Sequence, residues 1–270
     1  MPSEQITPSA SQWIDIGVNL SNKQFKDHQR DVLNAAQNVG VNNVIITGTS
    51  LSESIKAVEM AEQFGQYATA GIHPHDAKEF TPETLSYIKE LALNPRVLAV
   101  GETGLDFNRN FSTPDDQINS FNKHIELASD IGKPLFLHER DAGETMIEML
   151  TENRNRIPNA VIHCFTGSKD DLIRYLDLDL YIGITGWISD ERRGLHLHEL
   201  IKLIPSNRLM IETDAPYLLP RSLKPKPKNR RNEPQYLPHI GEYIANILNK
   251  STEQFAKETF ENTQRFFNIS

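Results

Sequence analysis

Eight short apolar runs alternate with amphipathic stretches at a spacing of about 20 to 37 residues, with no composition break between them. That rhythm predicts an α/β fold, and its unit count and size predict a TIM (β/α)₈ barrel. A third observation excludes the main rival: a doubly wound sheet wants a Gly-rich phosphate turn after an early strand, and none is present.

The elements follow in order. Residues 13–18 read as the first strand, then a helix over 25–39 closing at Gly40. Strand two covers 43–48 and its helix 51–64, stopped by Gly65. Strand three spans 67–73, and Thr81-Pro82 opens the next helix as cap and first residue. The run 97–102 is strand four, ending in Gly-Glu-Thr-Gly, and a long amphipathic helix follows over 115–131. Strands are then expected at 134–138, 160–164, 180–184 and 209–213, with helices at 141–150, 169–176, 195–204 and 237–248. A last helix over 252–267 is expected on the outside. The domain reading is one barrel over residues 12–270 after a polar, frayed tail over 1–11 that does not resemble a signal peptide.

The composition is that of an ordinary globular chain, 38% hydrophobic and 24% charged, and no apolar run approaches membrane length. One cysteine, Cys164, excludes an internal disulfide and fits a reducing compartment, so the cytoplasm is expected. A monomer is the expectation. A net charge of −8 argues against a protein that coats nucleic acid with its whole surface. The cations are unevenly spread, however. Residues 221–231 hold six of them and no acid, beside the strand-eight end. Such a run is commonly a solvated loop; here it is also a candidate phosphate cradle.

In a barrel, functional side chains come from the C-terminal ends of several strands. Those ends read His73, Glu102, His138, His163 and Asp214. A lone histidine after a strand is usually structural, but five such residues would meet on one rim. Imidazoles with carboxylates suit Zn²⁺, Mn²⁺ or a related divalent ion, which makes hydroxide available near neutral pH. The residues alone therefore point to a metal-assisted hydrolase. Arg140 lies near enough to His138 to reach the same ligand, and Trp187 is either a base-stacking ring or a packed loop residue. His75 and Asp76 suit substrate or supporting roles, as do Asp15 and Glu212 behind the ligands. Cys164 is read as packing.

The segments Gly101-Glu102-Thr103-Gly104-Leu105-Asp106, residues 134–142, His163-Cys164-Phe165-Thr166-Gly167, residues 212–218 and Arg230-Arg231-Asn232-Glu233-Pro234 resemble the motifs of the TatD family of metal-dependent DNases. The match runs from strand one to the final helix. The resemblance implies a divalent metal, Mg²⁺ above Mn²⁺ or Zn²⁺, and 3′→5′ exonucleolytic cleavage of single-stranded DNA, with RNA kept open beside it, linked to repair of oxidative damage. It implies Glu102 as the carboxylate that can bridge two metals, His138 and His163 as ligands, and Asp214 as ligand or base. His73, Arg140, Arg230 and Arg231 would then hold flanking phosphates.

One departure matters. The family pattern at strand one is Asp-x-His-x-His-Leu, whereas this chain has Asp15-Ile16-Gly17-Val18-Asn19-Leu20. The variant also occurs within the family and does not imply a dead enzyme. It predicts one firmly held metal and a second, weaker one on oxygen ligands, shifting preference toward Mg²⁺ or Mn²⁺. Two rival readings are an amide or ester hydrolase, such as a D-aminoacyl-tRNA deacylase, and a nucleic-acid-binding protein that has lost catalysis.

Overall fold

The computed structural model describes residues 11–269; the tail expected over 1–11 lies, but for Ser11, outside the described residues. Eight strands form one parallel sheet in sequence order: β1 Trp13–Val18, β2 Val41–Ile46, β3 Tyr67–Ala70, β4 Val97–Asp106, β5 Leu135–Arg140, β6 Ala160–Ile162, β7 Tyr181–Ile184 and β8 Leu209–Ile211. The sheet closes where Val18 bridges Ala215, with the Asn19 N–H donating to the Ala215 carbonyl. The expected barrel is present.

The helices that follow the strands are α1 Gln29–Asn38, α2 Leu51–Phe64, α3 Pro82–Ala92, α4 Pro114–Ile131, α5 Gly143–Asn153, α6 Lys169–Asp177, α7 Leu197–Leu200 and α8 Leu237–Ile247, with α9 Thr252–Phe267 at the end. Their starts are set by short polar caps. Ser50, Thr81, Thr113, Ser168 and Ser251 each accept a backbone N–H of their first turn. The helix expected over 195–204 is shorter: α7 is a single turn, continued by a 3₁₀ turn over Ile201–Leu203.

Two apolar layers hold the barrel. The larger packs helices against the sheet. The smaller fills the barrel interior, with Ile16, Ile45, Ala99, Phe136, Val161, Tyr181 and Met210 each from a different strand. Phe266 and Phe267 of α9 join this inner layer, and the Phe266 ring lies 4.9 Å from that of Tyr181, the first residue of β7. The last helix is therefore not only an outer layer. Its end plugs the mouth opposite the strand C-termini, while Phe255 packs near Trp13.

β4 differs most from expectation. It does not stop at Glu102 but runs on to Asp106. Pairing with β5 goes from Val100–Leu135 to Thr103–Leu137, three residues against two, so one extra residue is absorbed at Gly101-Glu102. A bulge of this kind breaks the ladder locally and re-aims a side chain. Glu102 is aimed into the barrel mouth, and the Glu102 N–H donates to the Gly48 carbonyl of the β2 end at 2.7 Å.

Candidate metal centre

Glu102 is the hub. Its Oε1 lies 2.8 Å from His163 Nε2, 3.1 Å from His138 Nδ1 and 3.3 Å from His73 Nε2. The two glycines of Gly-Glu-Thr-Gly permit this geometry: a Cβ at Gly101 would sit 2.2 Å from the Phe136 carbonyl, and one at Gly104 2.1 Å from that of His138. The floor is apolar, with the Phe136 ring 4.6 Å from that of His163.

Each imidazole has a fixed role. His163 presents Nε2 to Glu102 while its Nδ1 faces Glu212 Oε2 at 3.2 Å, the arrangement in which a carboxylate orients a metal-binding histidine. His138 lies between two carboxylates, with Asp106 Oδ2 3.4 Å from its Nε2. Beyond that long contact with Asp106, the buried Nε2 has no hydrogen-bond partner among the described residues, an orphan of the kind a metal ion or substrate oxygen satisfies. His73 is different. Its Nδ1 accepts the His75 N–H at 3.1 Å, so its proton sits on Nε2, which can donate but not ligate. Ligand atoms of His73, Glu102 and His138 lie within 4.8 Å of one another; the tautomer makes His73 a donor at the edge of the cluster.

The charges are strongly coupled. Burial raises the Glu102 carboxyl, but the His163 and His73 rings outweigh it and hold Glu102 well below the usual carboxylate range. Burial opposes charge on His163, yet Glu102 and Glu212 raise it well above the usual imidazole value. Burial, with His138 and His75 adding, lowers His73 to about 4 against the pull of Glu102. Asp214 goes the other way: burial, reinforced by Glu102 and Glu212, pushes its carboxyl up to about 7 against His163 and a bond from Asn19. A carboxyl near 7 is matched to taking a proton at neutral pH. The two imidazoles left free to ligate, His138 and His163, converging on Glu102 with the Asp214 carboxyl beside them, fit a divalent ion.

The supporting residues divide cleanly. Glu212 accepts the Cys164 N–H at 2.6 Å and faces His163, as expected of a residue behind the ligands. Asp15 instead binds Thr213, taking its N–H at 2.9 Å and its hydroxyl at 2.6 Å, and so fixes the residue before Asp214. Cys164, expected to pack away from the site, lines the cleft, because a φ of 46° turns the chain after His163. Two contributors escape sequence reasoning. Asn19, counted only as a missing histidine, donates from Nδ2 to Asp214 Oδ1 at 2.9 Å. Asp106 is a second carboxylate at the mouth, 2.7 Å from His75 Nε2; the continuation of β4 was the signal that could have found it.

A cleft of about 540 Å³ opens above the hub and is lined by Glu102, His138, His163, Asp214, His73, Arg140 and Trp187 among others. Arg140 lies over the Trp187 ring at 5.9 Å and has no carboxylate partner among the described residues. No residue of the expected phosphate cradle, 221–231, is among those lining the cleft. Neither Arg230 nor Arg231 lines the cleft. Arg231 binds Glu233 at 2.7 Å and the Gln24 carbonyl and lies over Phe25, while Arg221 pairs with Glu191 at 2.6 Å. Carboxylates distant or adjacent in sequence thus neutralise Arg221 and Arg231, while Arg230 is exposed. Among the described residues no helix is long and apolar enough to cross a membrane.

The family model for TatD related DNase matches residues 14–268. The chain is 48% identical over 257 residues to the 3′-5′ ssDNA/RNA exonuclease TatD of Escherichia coli K12, covering 95% of this chain and 99% of that protein. A TatD-family hydrolase from Entamoeba histolytica superposes with a TM-score of 0.86 at 26% identity, over 97% of this chain and 99% of the other. The Escherichia coli phosphotriesterase homology protein, solved with phosphate in its active site, shares the fold at a TM-score of 0.66 and 16% identity over 95% and 99% of the two chains. With the barrel, the Glu102 hub and a match along nearly its whole length, the chain belongs to the TatD-related DNase family.

Proposed function

We propose that the protein is a metal-dependent 3′→5′ exonuclease of single-stranded DNA and RNA, acting as a monomeric single-domain enzyme in the cytoplasm. One observation carries the reading: a buried carboxylate shared by three imidazoles, with the Asp214 carboxyl beside it, under a cleft lined by an arginine that has no carboxylate partner among the described residues. The 3′-5′ ssDNA/RNA exonuclease of Escherichia coli supplies the reading's polarity and substrate. A place in repair of oxidative DNA damage rests on the family resemblance.

Glu102, His138, His163 and Asp214 would hold the ion, Mg²⁺ or Mn²⁺ before Zn²⁺ because Asn19 and Gly17 bring no imidazole from β1. When bound, a divalent ion supplies charge stabilisation at the phosphate and lowers the pKa of water. The chain does the rest. Asp214 takes the proton of the attacking water on Oδ2, which receives no hydrogen bond from the described residues while Asn19 holds Oδ1. His73 shares its one Nε2–H between Glu102 and a phosphate oxygen. Arg140 clamps a flanking phosphate, and Trp187 stacks a base.

A time course on 3′- and 5′-labelled single strands with Mg²⁺, Mn²⁺ and Zn²⁺ in turn tests this. Stepwise loss from the 3′ end is expected. Binding without turnover in all three metals overturns it. His163→Ala should abolish cleavage while the protein stays folded by circular dichroism.

A further inference from the structure

The loop after β4 carries an aromatic ring that neither the ligand set nor the phosphate contacts use. Phe111 is 54% exposed, yet it lines the metal cleft. Its loop is held rigidly. Asp106 Oδ1 accepts the N–H groups of Asn108 at 3.0 Å and Arg109 at 2.8 Å. The buried Gln117 side chain accepts the Asp106 N–H at 2.8 Å and donates to the carbonyls of Asp106 and Ser112, both at 3.0 Å. Lys78 Nζ donates to the Phe111 carbonyl itself. The carboxylate that fixes this loop is the one facing His75 and His138, so the ring and the metal centre share one anchor.

Phe111 meets His75 edge-on, with centroids 4.8 Å apart and planes at 75°, and half its surface stays open to solvent. Arg109 lies 6.0 Å from the ring centroid, lines the same cleft and has no carboxylate partner among the described residues. An aromatic ring half open to solvent, with a guanidinium over it that has no carboxylate partner among the described residues, is the combination that holds an unpaired nucleotide, base on ring and phosphate on cation. Trp187 follows β7, three strands round the barrel from β4.

We propose that Phe111 is a nucleobase-stacking platform, with Arg109 on the phosphate beside it, so that Phe111 and Trp187 take bases on the two sides of the scissile phosphate. A base in a duplex has both faces covered and cannot use such a platform, so the pair of rings selects single strands. The inference rests on the nuclease reading above.

The test measures kcat and KM of wild type, Phe111→Ala and Phe111→Tyr on single strands that are normal or carry a base-free tetrahydrofuran residue at the terminal or penultimate 3′ position. Phe111→Ala is expected to raise KM on the normal strand by roughly 5- to 150-fold, the range for one base–aromatic stack. Phe111→Tyr should restore it. On one of the two base-free strands the difference between wild type and Phe111→Ala should vanish, which misfolding or a disturbed metal centre would not produce. Equal KM values on the normal strand, or a deficit undiminished on both base-free strands, overturn the inference alone. Failure of the wild type to cut any strand overturns the nuclease reading and this inference with it.

Discussion

Gly17→Ala adds one methyl group at the position where the family pattern carries a histidine, and the structure leaves no room for it. A Cβ there would lie 2.2 Å from Glu212 Oε2 and 3.4 Å from both Glu212 Cδ and the Phe136 ring. To reach ordinary contact the carboxylate must move by about 1 Å, judged against normal carbon packing distances. It has no free path, because Glu212 is wholly buried and its Oε1 holds the Cys164 N–H at 2.6 Å. The movement therefore costs Glu212 its contact with His163 or with the Cys164 N–H. Overpacking of this kind costs about 1–3 kcal/mol, or roughly 2 to 12 °C in Tm for a chain of this size. Loss of a carboxylate behind a ligand costs about 10- to 100-fold in metal affinity. Calorimetric metal titration and a thermal melt read the two effects separately. Adding Glu212→Asp should recover Tm, since the shorter side chain clears the methyl, but not affinity. Gly17→His, which restores the family pattern, should do worse than Gly17→Ala. A Gly17→Ala protein that melts and binds metal like the wild type would show that Glu212 does not occupy this slot.

Four further variants have outcomes set by single contacts. Asn19→Ala removes a bond that lowers the Asp214 carboxyl, so in the metal-free protein Asp214 should titrate at higher pH than in the wild type, read by carbon-13 NMR, and kcat of the loaded enzyme should fall because the carboxylate loses the contact that orients it. The buried His124 accepts the Ile72 N–H at 3.1 Å, and burial lowers it from 6.5 to about 4. Its contribution is complete above pH 6.5 and is lost as pH falls toward 4, so the stability gap between wild type and His124→Phe should shrink by about 3 kcal/mol over that window in urea melts. A gap independent of pH would refute the neutral imidazole. Arg140→Ala should raise KM for DNA and leave Tm unchanged. Arg231→Ala should do the reverse, losing about 1–3 kcal/mol of stability with KM intact, because its guanidinium serves Glu233 and the Gln24 carbonyl.

Much of this architecture is legible locally. Periodicity and capping residues such as Ser50 and Thr113 act over a few positions, and the placing of His163 and Asp214 just past their strands follows from them, whereas His138 lies two residues before the end of a β5 that runs on to Arg140. What escapes depends on neighbours across space. The bulge that carries β4 on to Asp106 exists only against β5. The pairing of Arg221 with Glu191 is made between two loops and leaves no local trace. His73 reads as one more imidazole until the His75 N–H fixes its tautomer. Asn19 illustrates the limit best: an absence by pattern, it becomes a working group only once the barrel has closed.

That closure has a kinetic consequence. Asp214 is tied to the first strand through its own N–H on the Gly17 carbonyl, through Asn19, and through Asp15 on Thr213. These links join residues nearly 200 positions apart, so they form late in a chain whose other neighbours pair in sequence order. An intermediate with β1 and β8 still apart can already bring Glu102, His138 and His163 together, yet lacks its proton acceptor. Recovery of nuclease activity during refolding should lag behind recovery of helical circular dichroism and report the joining of the two chain ends.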